Sequence, residues 1–121
     1  MVSEIKSVRP FIGAKNYNVS RAFYRKLGFE EYVTSPKMSY FSKQRFGFYL
    51  QDYFVEDWVN NSMIFLEVRD VQKEYNRILA LNLQNQFPTI KLKPIVTNDW
   101  GSEFFLHDPS NILWHIGSFN S

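Results

Sequence analysis

His115 is the side chain best placed for chemistry in this sequence, because it stands between Trp114 and Ile116 close to the end of the chain. Neighbouring side chains of a strand point to opposite faces, so Trp114 and Ile116 occupy a core face while His115 faces the other way. An imidazole in that position can exchange protons or bind a metal ion. The alternative is a core histidine whose ring is satisfied by a backbone carbonyl. The alternation favours a histidine that faces a cleft.

The other histidine, His107, adjoins Asp108 at a turn. Adjacent residues of a strand point to opposite faces, so this pair lacks the geometry of an acid–base couple. We therefore expect a solvated turn histidine. In the turn itself, Asp108 can accept hydrogen bonds from the backbone ahead of it, Pro109 presets φ, and Asn111 tolerates the left-handed conformation. The sequence therefore predicts a chain reversal between two apolar strands.

Composition narrows the class of protein. The chain has 121 residues, of which 45% are hydrophobic and 18% aromatic, enough for a single domain over residues 1–121. It has no cysteine, which excludes disulfides, thiolate catalysis and cysteine-ligated zinc and fits a cytoplasmic location. No apolar run approaches the roughly 20 residues that span a bilayer, so we expect no membrane partner. The 14 basic and 12 acidic residues are scattered, which argues against nucleic-acid binding.

The first half of the chain predicts one βαβββ module. A strand over residues 7–13 precedes a helix that Asn16 or Asn18 caps and Gly28 ends. The apolar face of this helix is formed by Val19, Ala22, Phe23 and Leu27. Aromatic-rich segments then predict strands over residues 29–34, 38–43 and 46–51.

The second half repeats this order. A strand over residues 62–68 precedes a helix that Asp70 caps. Its apolar face is formed by Val71, Tyr75, Ile78 and Leu79. A polar loop at residues 82–89 leads to strands over residues 91–97, 100–107 and 112–118. The spacing also repeats, since Arg9 precedes Asn16 by seven residues and Met63 precedes Asp70 by seven.

The linker at residues 52–61 is too short and apolar to separate two independent domains. We therefore predict an α+β fold of two tandem βαβββ modules, about residues 5–53 and 60–119, with pseudo-twofold symmetry.

Four segments carry a family resemblance: residues 9–12 (RPFI) followed by Asn16, residues 22–29 (AFYRKLGF), residues 67–71 (EVRDV) and the terminal hairpin at residues 100–116. In this order and spacing the chain resembles the vicinal oxygen chelate superfamily, which includes glyoxalases, extradiol dioxygenases, fosfomycin-resistance enzymes and bleomycin-resistance proteins. The resemblance implies a glyoxalase/bleomycin-resistance-like fold, with an open, curved mixed sheet. Within this superfamily, Pro10 in the first strand and the pair Trp100-Gly101 at the start of the terminal hairpin resemble the metal-free bleomycin-resistance branch.

Enzymes of this superfamily hold a divalent metal with ligands on the first and last strands of each module. The resemblance places Arg9 and Met63 at the first-strand positions, Tyr49 or Gln51 at the end of module one, and His115 at the end of module two. Arginine does not deprotonate to coordinate, and a thioether is a poor ligand for such ions. We therefore predict no catalytic metal and no other cofactor.

Alternation along the strands predicts which side chains face the concave side. These candidate ligand-binding residues are Arg9, Phe11, Tyr49, Gln51, Met63, Phe65, Leu113 and His115. Apolar walls with a few polar groups are typical of small-molecule sites. The guanidinium of Arg9 favours a flat ligand that is neutral or anionic, through stacking or bidentate hydrogen bonds.

The resemblance implies a homodimer in which the first module of one chain faces the second module of the other. The leading hypothesis is a metal-free protein that sequesters a small molecule in a cleft at the dimer interface, rather than an enzyme. One alternative is a metal-dependent lyase, isomerase or dioxygenase of the glyoxalase type. A second is a dimeric interaction domain without a small ligand.

Overall fold

The computed structural model describes residues 3–121, and their first half forms a four-stranded sheet with one helix. The elements are strand β1 (Phe11–Gly13), helix α1 (Tyr17–Leu27), and strands β2 (Glu30–Ser35), β3 (Met38–Lys43) and β4 (Phe46–Gln51). The strand order is β1-β4-β3-β2; β1 runs parallel to β4 and the other pairs are antiparallel. This is the βαβββ module that the sequence predicts.

The second half builds an equivalent five-stranded sheet. After helix α2 (Glu56–Asn60) come strand β5 (Met63–Glu67), helices α3 (Val71–Ala80) and α4 (Leu83–Gln86), and strands β6 (Lys91–Leu92), β7 (Val96–Asn98), β8 (Gly101–His107) and β9 (Leu113–Phe119). The order is β5-β9-β8-β6, and β7 also pairs with β8. The α+β class and the two repeated modules are therefore confirmed. No helix of residues 3–121 is long and apolar enough to cross a membrane.

Equivalent caps start the main helix of each module. The Asn16 side chain accepts a hydrogen bond from the Val19 N–H at 3.2 Å, and Asp70 accepts one from the Lys73 N–H at 3.0 Å. Each satisfies one of the amide groups that a helix start leaves without a partner. Gly28 ends α1 with φ of 121°, a conformation that favours glycine.

The buried stripe of each helix differs from the predicted one. Val19 and Leu79 lie at the margins and are 37% and 47% exposed, so their assignment to the apolar face was wrong. In α1 the stripe runs through Tyr17, Ser20, Phe23, Tyr24 and Leu27. Tyr24 is fully buried because its hydroxyl finds partners inside the protein.

Several predicted element boundaries also need correction. The first strand begins at Phe11 rather than at residue 7, and the strand expected over residues 91–97 is divided into β6 and β7. Pro94 lies at that break, where it cannot donate a ladder hydrogen bond. The expected loop at residues 82–89 contains α4, and the linker at residues 52–61 contains α2.

Both sheets bury one face in the same hydrophobic core. The rings of Phe48 on β4 and Trp114 on β9 lie 5.4 Å apart, and Tyr24 of α1 packs against both. Residues from both modules, including Ile12, Leu50, Phe104 and Ile116, are at most 4% exposed. The opposite face of each sheet is therefore left for contacts outside the core.

A buried hydrogen-bond chain ties module one to the terminal hairpin. The indole N–H of Trp114 donates to the Tyr24 hydroxyl at 2.9 Å, and that hydroxyl donates to Asp108 at 2.7 Å. The Asp108 carboxylate also accepts the N–H groups of Ser110 and Ile112, both at 2.8 Å. Burial raises the pKa of Asp108 to about 6, although these hydrogen bonds oppose the rise. The turn has the predicted form, with Asn111 at φ of 80°.

Candidate functional site

An aromatic row crosses the outer face of the first sheet. Strand register places Tyr32 opposite Tyr40, Tyr40 opposite Tyr49, and Tyr49 opposite Phe11. Successive ring centres are 6.3, 5.2 and 4.7 Å apart, and the last pair is stacked. Cross-strand pairs of this kind stabilise a sheet and form a flat aromatic surface.

Arg9 lies against this row. Its guanidinium carbon is 4.1 Å from the centre of the Tyr40 ring, and its Nη1 donates to the Tyr49 hydroxyl at 3.0 Å. Gly47 makes room for the Tyr40 ring, because a Cβ at that position would collide with the ring's Cζ and hydroxyl. The result is an exposed cation held at the edge of an aromatic surface.

The outer face of the second sheet carries His115 opposite Phe65, with Phe105 on the far side of the histidine. His115 Nδ1 lies 2.9 Å from a carboxylate oxygen of Glu103, and Nε2 lies 3.4 Å from the Met63 sulfur. Both ring nitrogens therefore have partners within the sheet. A carboxylate on Nδ1 holds the ring in one orientation.

Two further rings, those of Trp100 and Phe119, extend this second surface into an aromatic cluster with Phe65. Trp100 and Phe119 lie 5.1 Å apart, and Phe65 lies 6.0 Å from Trp100 and 5.6 Å from Phe119. Phe65 and Phe119 are 44% and 54% exposed, which leaves their faces open to a ligand or partner.

The structure places the eight candidate residues on the faces opposite the core, in two separate groups. Arg9, Phe11, Tyr49 and Gln51 belong to module one, and Met63, Phe65, Leu113 and His115 belong to module two. Within residues 3–121, no side-chain hydrogen bond or ring contact joins the two groups. The candidate residues therefore form two separate groups within one chain, here called the half-sites, and their role in ligand binding stays a prediction.

Solved structures of known proteins share this architecture, although no protein-family model and no curated protein matches the sequence. A bleomycin-binding protein from Streptomyces verticillus, complexed with copper(II)-bleomycin, is 16% identical over 99% of this chain and 100% of that one, with a TM-score of 0.81. The bleomycin resistance determinant of transposon Tn5 is 16% identical over 97% and 100%, with a TM-score of 0.79. The fosfomycin resistance protein FosX from Listeria monocytogenes is 17% identical over 99% and 94%, with a TM-score of 0.73.

The chain has the glyoxalase/bleomycin-resistance fold. The resemblance seen in the sequence is thus confirmed at the level of the fold. Identities this low carry no ligand or activity from one protein to the other.

Strand register within this fold decides which residue of module one corresponds to His115. Phe11 and Phe65 occupy equivalent positions, each two residues after Arg9 and Met63 respectively. Phe11 pairs with Tyr49 and Phe65 pairs with His115. Tyr49, rather than Gln51, is therefore the equivalent of His115.

The superfamily's metal site does not fit these residues. The resemblance assigns the metal-ligand positions to Arg9, Met63, Tyr49 and His115, and a guanidinium offers no lone pair to a cation. His115 is the sole imidazole among them, and both of its nitrogens contact other side chains. Within residues 3–121, no three His, Cys, Asp or Glu side chains are grouped so that they could hold a metal ion.

The side chains of these faces that sequence reasoning missed include Tyr32, Tyr40, Trp100, Glu103, Phe105 and Phe119. Tyr40 could have been found by counting back across the short turn from Tyr49, since facing residues of a hairpin are equidistant from its turn. Glu103 precedes the buried Phe104, so alternation places its carboxylate on the face of His115.

The expectation of a solvated His107 was wrong. The side chain is half-buried, and its Nδ1 is a buried atom without a hydrogen-bond partner among the described residues. Burial lowers the pKa of His107, and the positive charges of Lys91 and Lys93 lower it further. His107 is the last residue of strand β8 and not part of the turn, so its side chain is partly covered as strand residues are.

Proposed function

We propose that this protein binds and sequesters a flat aromatic molecule, neutral or anionic, without a metal ion or other cofactor. The observation that carries the proposal is the Arg9 guanidinium stacked on Tyr40 beside the exposed ring of Phe11. A flat ligand can stack on the aromatic row while a carboxylate or phenolate accepts from the guanidinium fork. These are the contacts that a small-molecule site needs.

The ligand cleft is proposed to form between the two chains of a homodimer. The two half-sites belong to different sheets, and each leaves large apolar groups exposed: Phe11 at 56%, Met63 at 66% and Phe65 at 44%. A twofold axis brings module one of one chain against module two of its partner, and by symmetry completes two equal clefts. Arg9 and Tyr49 then face the partner's Met63 and the partner's His115.

The chemistry of the site favours binding over catalysis. Proteins with similar structures are named both as bleomycin-binding proteins and as enzymes, among them a lactoylglutathione lyase from Agrobacterium tumefaciens. Here Arg9 and Met63 replace two metal-ligand positions of the superfamily's enzymes, which supports the binding role. Arg9 and the net charge of +2 also disfavour a cationic ligand. The absence of cysteine supports a cytoplasmic location.

Calorimetry with a panel of aromatic acids, neutral aromatics and aromatic cations tests this proposal. We expect acids to bind most tightly to the wild type, and Arg9→Ala to weaken them by about 1.5–3 kcal/mol, the range for hydrogen bonds to a charged group. Arg9→Lys, which keeps the charge but loses the fork, gives an intermediate affinity. Lys26→Ala, at an exposed position of α1, is the control and leaves affinity unchanged. Equal affinities in wild type and Arg9→Ala, or a preference for cations, would contradict the proposal.

Two measurements separate the alternatives. Elemental analysis is made on wild type and on His115→Ala. About one metal ion per chain in wild type and none in the variant would contradict the metal-free binding protein and favour a metal-dependent enzyme. Sedimentation that shows only monomer at micromolar concentration would contradict the shared cleft. A dimer that binds no member of the panel would instead indicate an interaction domain.

A further inference from the structure

An open pocket lined by cationic side chains lies beside Tyr40 of the aromatic row. It has a volume of about 450 Å³ and lies between the segment before β1 and the start of β4. Its lining includes Lys6, Arg9, Tyr40, Arg45 and Phe46. Three cationic side chains and no carboxylate line it.

The charges around this cavity are not neutralised within the described part of the chain. Lys6 and Arg45 take part in no ion pair or side-chain hydrogen bond there, and Arg9 donates only to the neutral hydroxyl of Tyr49. Elsewhere the arginines of helices α1 and α3 bind carboxylates: Arg21 and Arg25 bind Glu31, and Arg77 binds Glu74. Three like charges around one cavity repel one another unless an anion lies between them.

We propose that this cavity holds the phosphate group of an aromatic phosphate monoester whose ring stacks on the aromatic row. A phosphate monoester carries about −1.5 to −2 charges at pH 7 and three strong acceptor oxygens. These features match three cations better than a carboxylate does, with one charge and two oxygens. The inference rests on the proposed function, because the same outer face supplies the stacking surface.

The cavity is continuous with that surface. Tyr40 belongs both to the cavity lining and to the row that continues through Tyr49 to Phe11. Arg9 lies between the two regions, over the Tyr40 ring. On the other side, Phe46 is 72% exposed and offers a second apolar contact. A phosphate in the cavity therefore directs an attached ring along the aromatic row.

Calorimetry with naphthyl phosphate, naphthoate and naphthol, which share one ring system, tests the inference. Near pH 7.5 we expect the phosphate to bind wild type at least about ten-fold more tightly than naphthoate. This advantage shrinks near pH 5, where the phosphate carries one charge. Arg45→Gln and Lys6→Gln each weaken naphthyl phosphate about ten-fold and change naphthol affinity less than about two-fold. Lys26→Gln, the matched control, changes neither.

The outcomes distinguish this inference from the proposed function. Naphthol and naphthoate binding with no gain from the phosphate, or a gain that survives Arg45→Gln, would overturn the phosphate site and leave the aromatic cleft standing. If no naphthyl ligand binds, inorganic phosphate tests the cavity alone. A rise in melting temperature that Arg45→Gln abolishes would support the anion site without the aromatic cleft, and no rise would overturn it.

Discussion

The outer faces of the two sheets share one backbone pattern but differ in chemistry. Phe11 and Phe65 occupy equivalent positions, and each packs against the residue opposite, Tyr49 or His115. The module-one face carries Arg9 on tyrosine rings, while the equivalent position of module two is occupied by the uncharged Met63. The two modules therefore share equivalent side-chain positions on their outer faces, but different residue types occupy those positions.

The modules also differ in how they hold a carboxylate. Glu31 of module one accepts hydrogen bonds from Arg21, Arg25 and Ser39, and its side chain is 7% exposed. Burial raises the pKa of Glu31, but hydrogen bonds from Arg21, Ser39 and Arg25 outweigh it and leave the pKa below the ordinary value. Among residues 3–121, Glu103 of module two has no arginine partner: it lies 2.9 Å from His115 Nδ1 and accepts a hydrogen bond from the Asn98 amide at 3.4 Å.

The largest loss of stability is expected from a substitution at Asp108, where the buried hydrogen bonds join the two modules. Asp108→Ala leaves the Tyr24 hydroxyl and the N–H groups of Ser110 and Ile112 without their acceptor. We expect a loss of about 3–4 kcal/mol in the free energy of unfolding, measured with urea. Asp52→Ala, at an exposed position, serves as the control. A loss below about 1 kcal/mol would show that the modules do not depend on this carboxylate.

The same residue gives stability a dependence on pH. The pKa of Asp108 rises from 3.8 to about 6 on folding, so the folded state binds more protons between these values. The contribution of Asp108 is therefore present below 3.8 and is lost as pH rises through about 6, by at most about 3 kcal/mol. We expect wild type to lose stability relative to Asp108→Asn over this range. Parallel slopes in urea titrations of the two proteins would contradict this.

The two carboxylates predict unequal losses. Glu31→Ala removes the acceptor of two arginines and should cost about 2 kcal/mol, whereas Glu103→Ala should cost less than about 1 kcal/mol. Because the pKa of Glu31 is lowered on folding, its contribution is present above the ordinary 4.5 and is lost as pH falls below it. Chemical denaturation at two pH values measures both effects. Equal losses of stability in Glu31→Ala and Glu103→Ala would show that the two carboxylates do not differ in this way.

The smallest losses of stability are expected from substitutions at the equivalent positions Arg9 and Met63. Arg9→Met should cost about 0.5–1 kcal/mol of stability, the range for an exposed cation–π contact. Met63→Leu, which retains volume and lacks the sulfur near His115, should cost less than about 0.5 kcal/mol. Thermal unfolding of the two variants compares them directly. A larger loss from Met63→Leu would make the thioether, rather than the guanidinium, the more important contact.

Local interactions explain why much of the fold could be predicted. The caps at Asn16 and Asp70 and the turn from Asp108 to Asn111 depend on groups two to four residues apart. Strand alternation likewise placed Phe11 and His115 on the outer faces, since it depends only on neighbouring residues. The short helices at residues 56–60 and 83–86 were not predicted, because four or five residues are too few to show the hydrophobic periodicity of a helix.

The sequence by itself determined the repeated modules, the helix caps and the turn. Tertiary structure alone decided that Tyr24 is buried against Asp108, 84 residues away, and that Arg9 lies on Tyr40. It also decided that the candidate residues lie in two separate groups, one on each sheet. The physical reason is range: caps and alternation act between neighbours, whereas these contacts require strand register and a shared core to bring distant segments together.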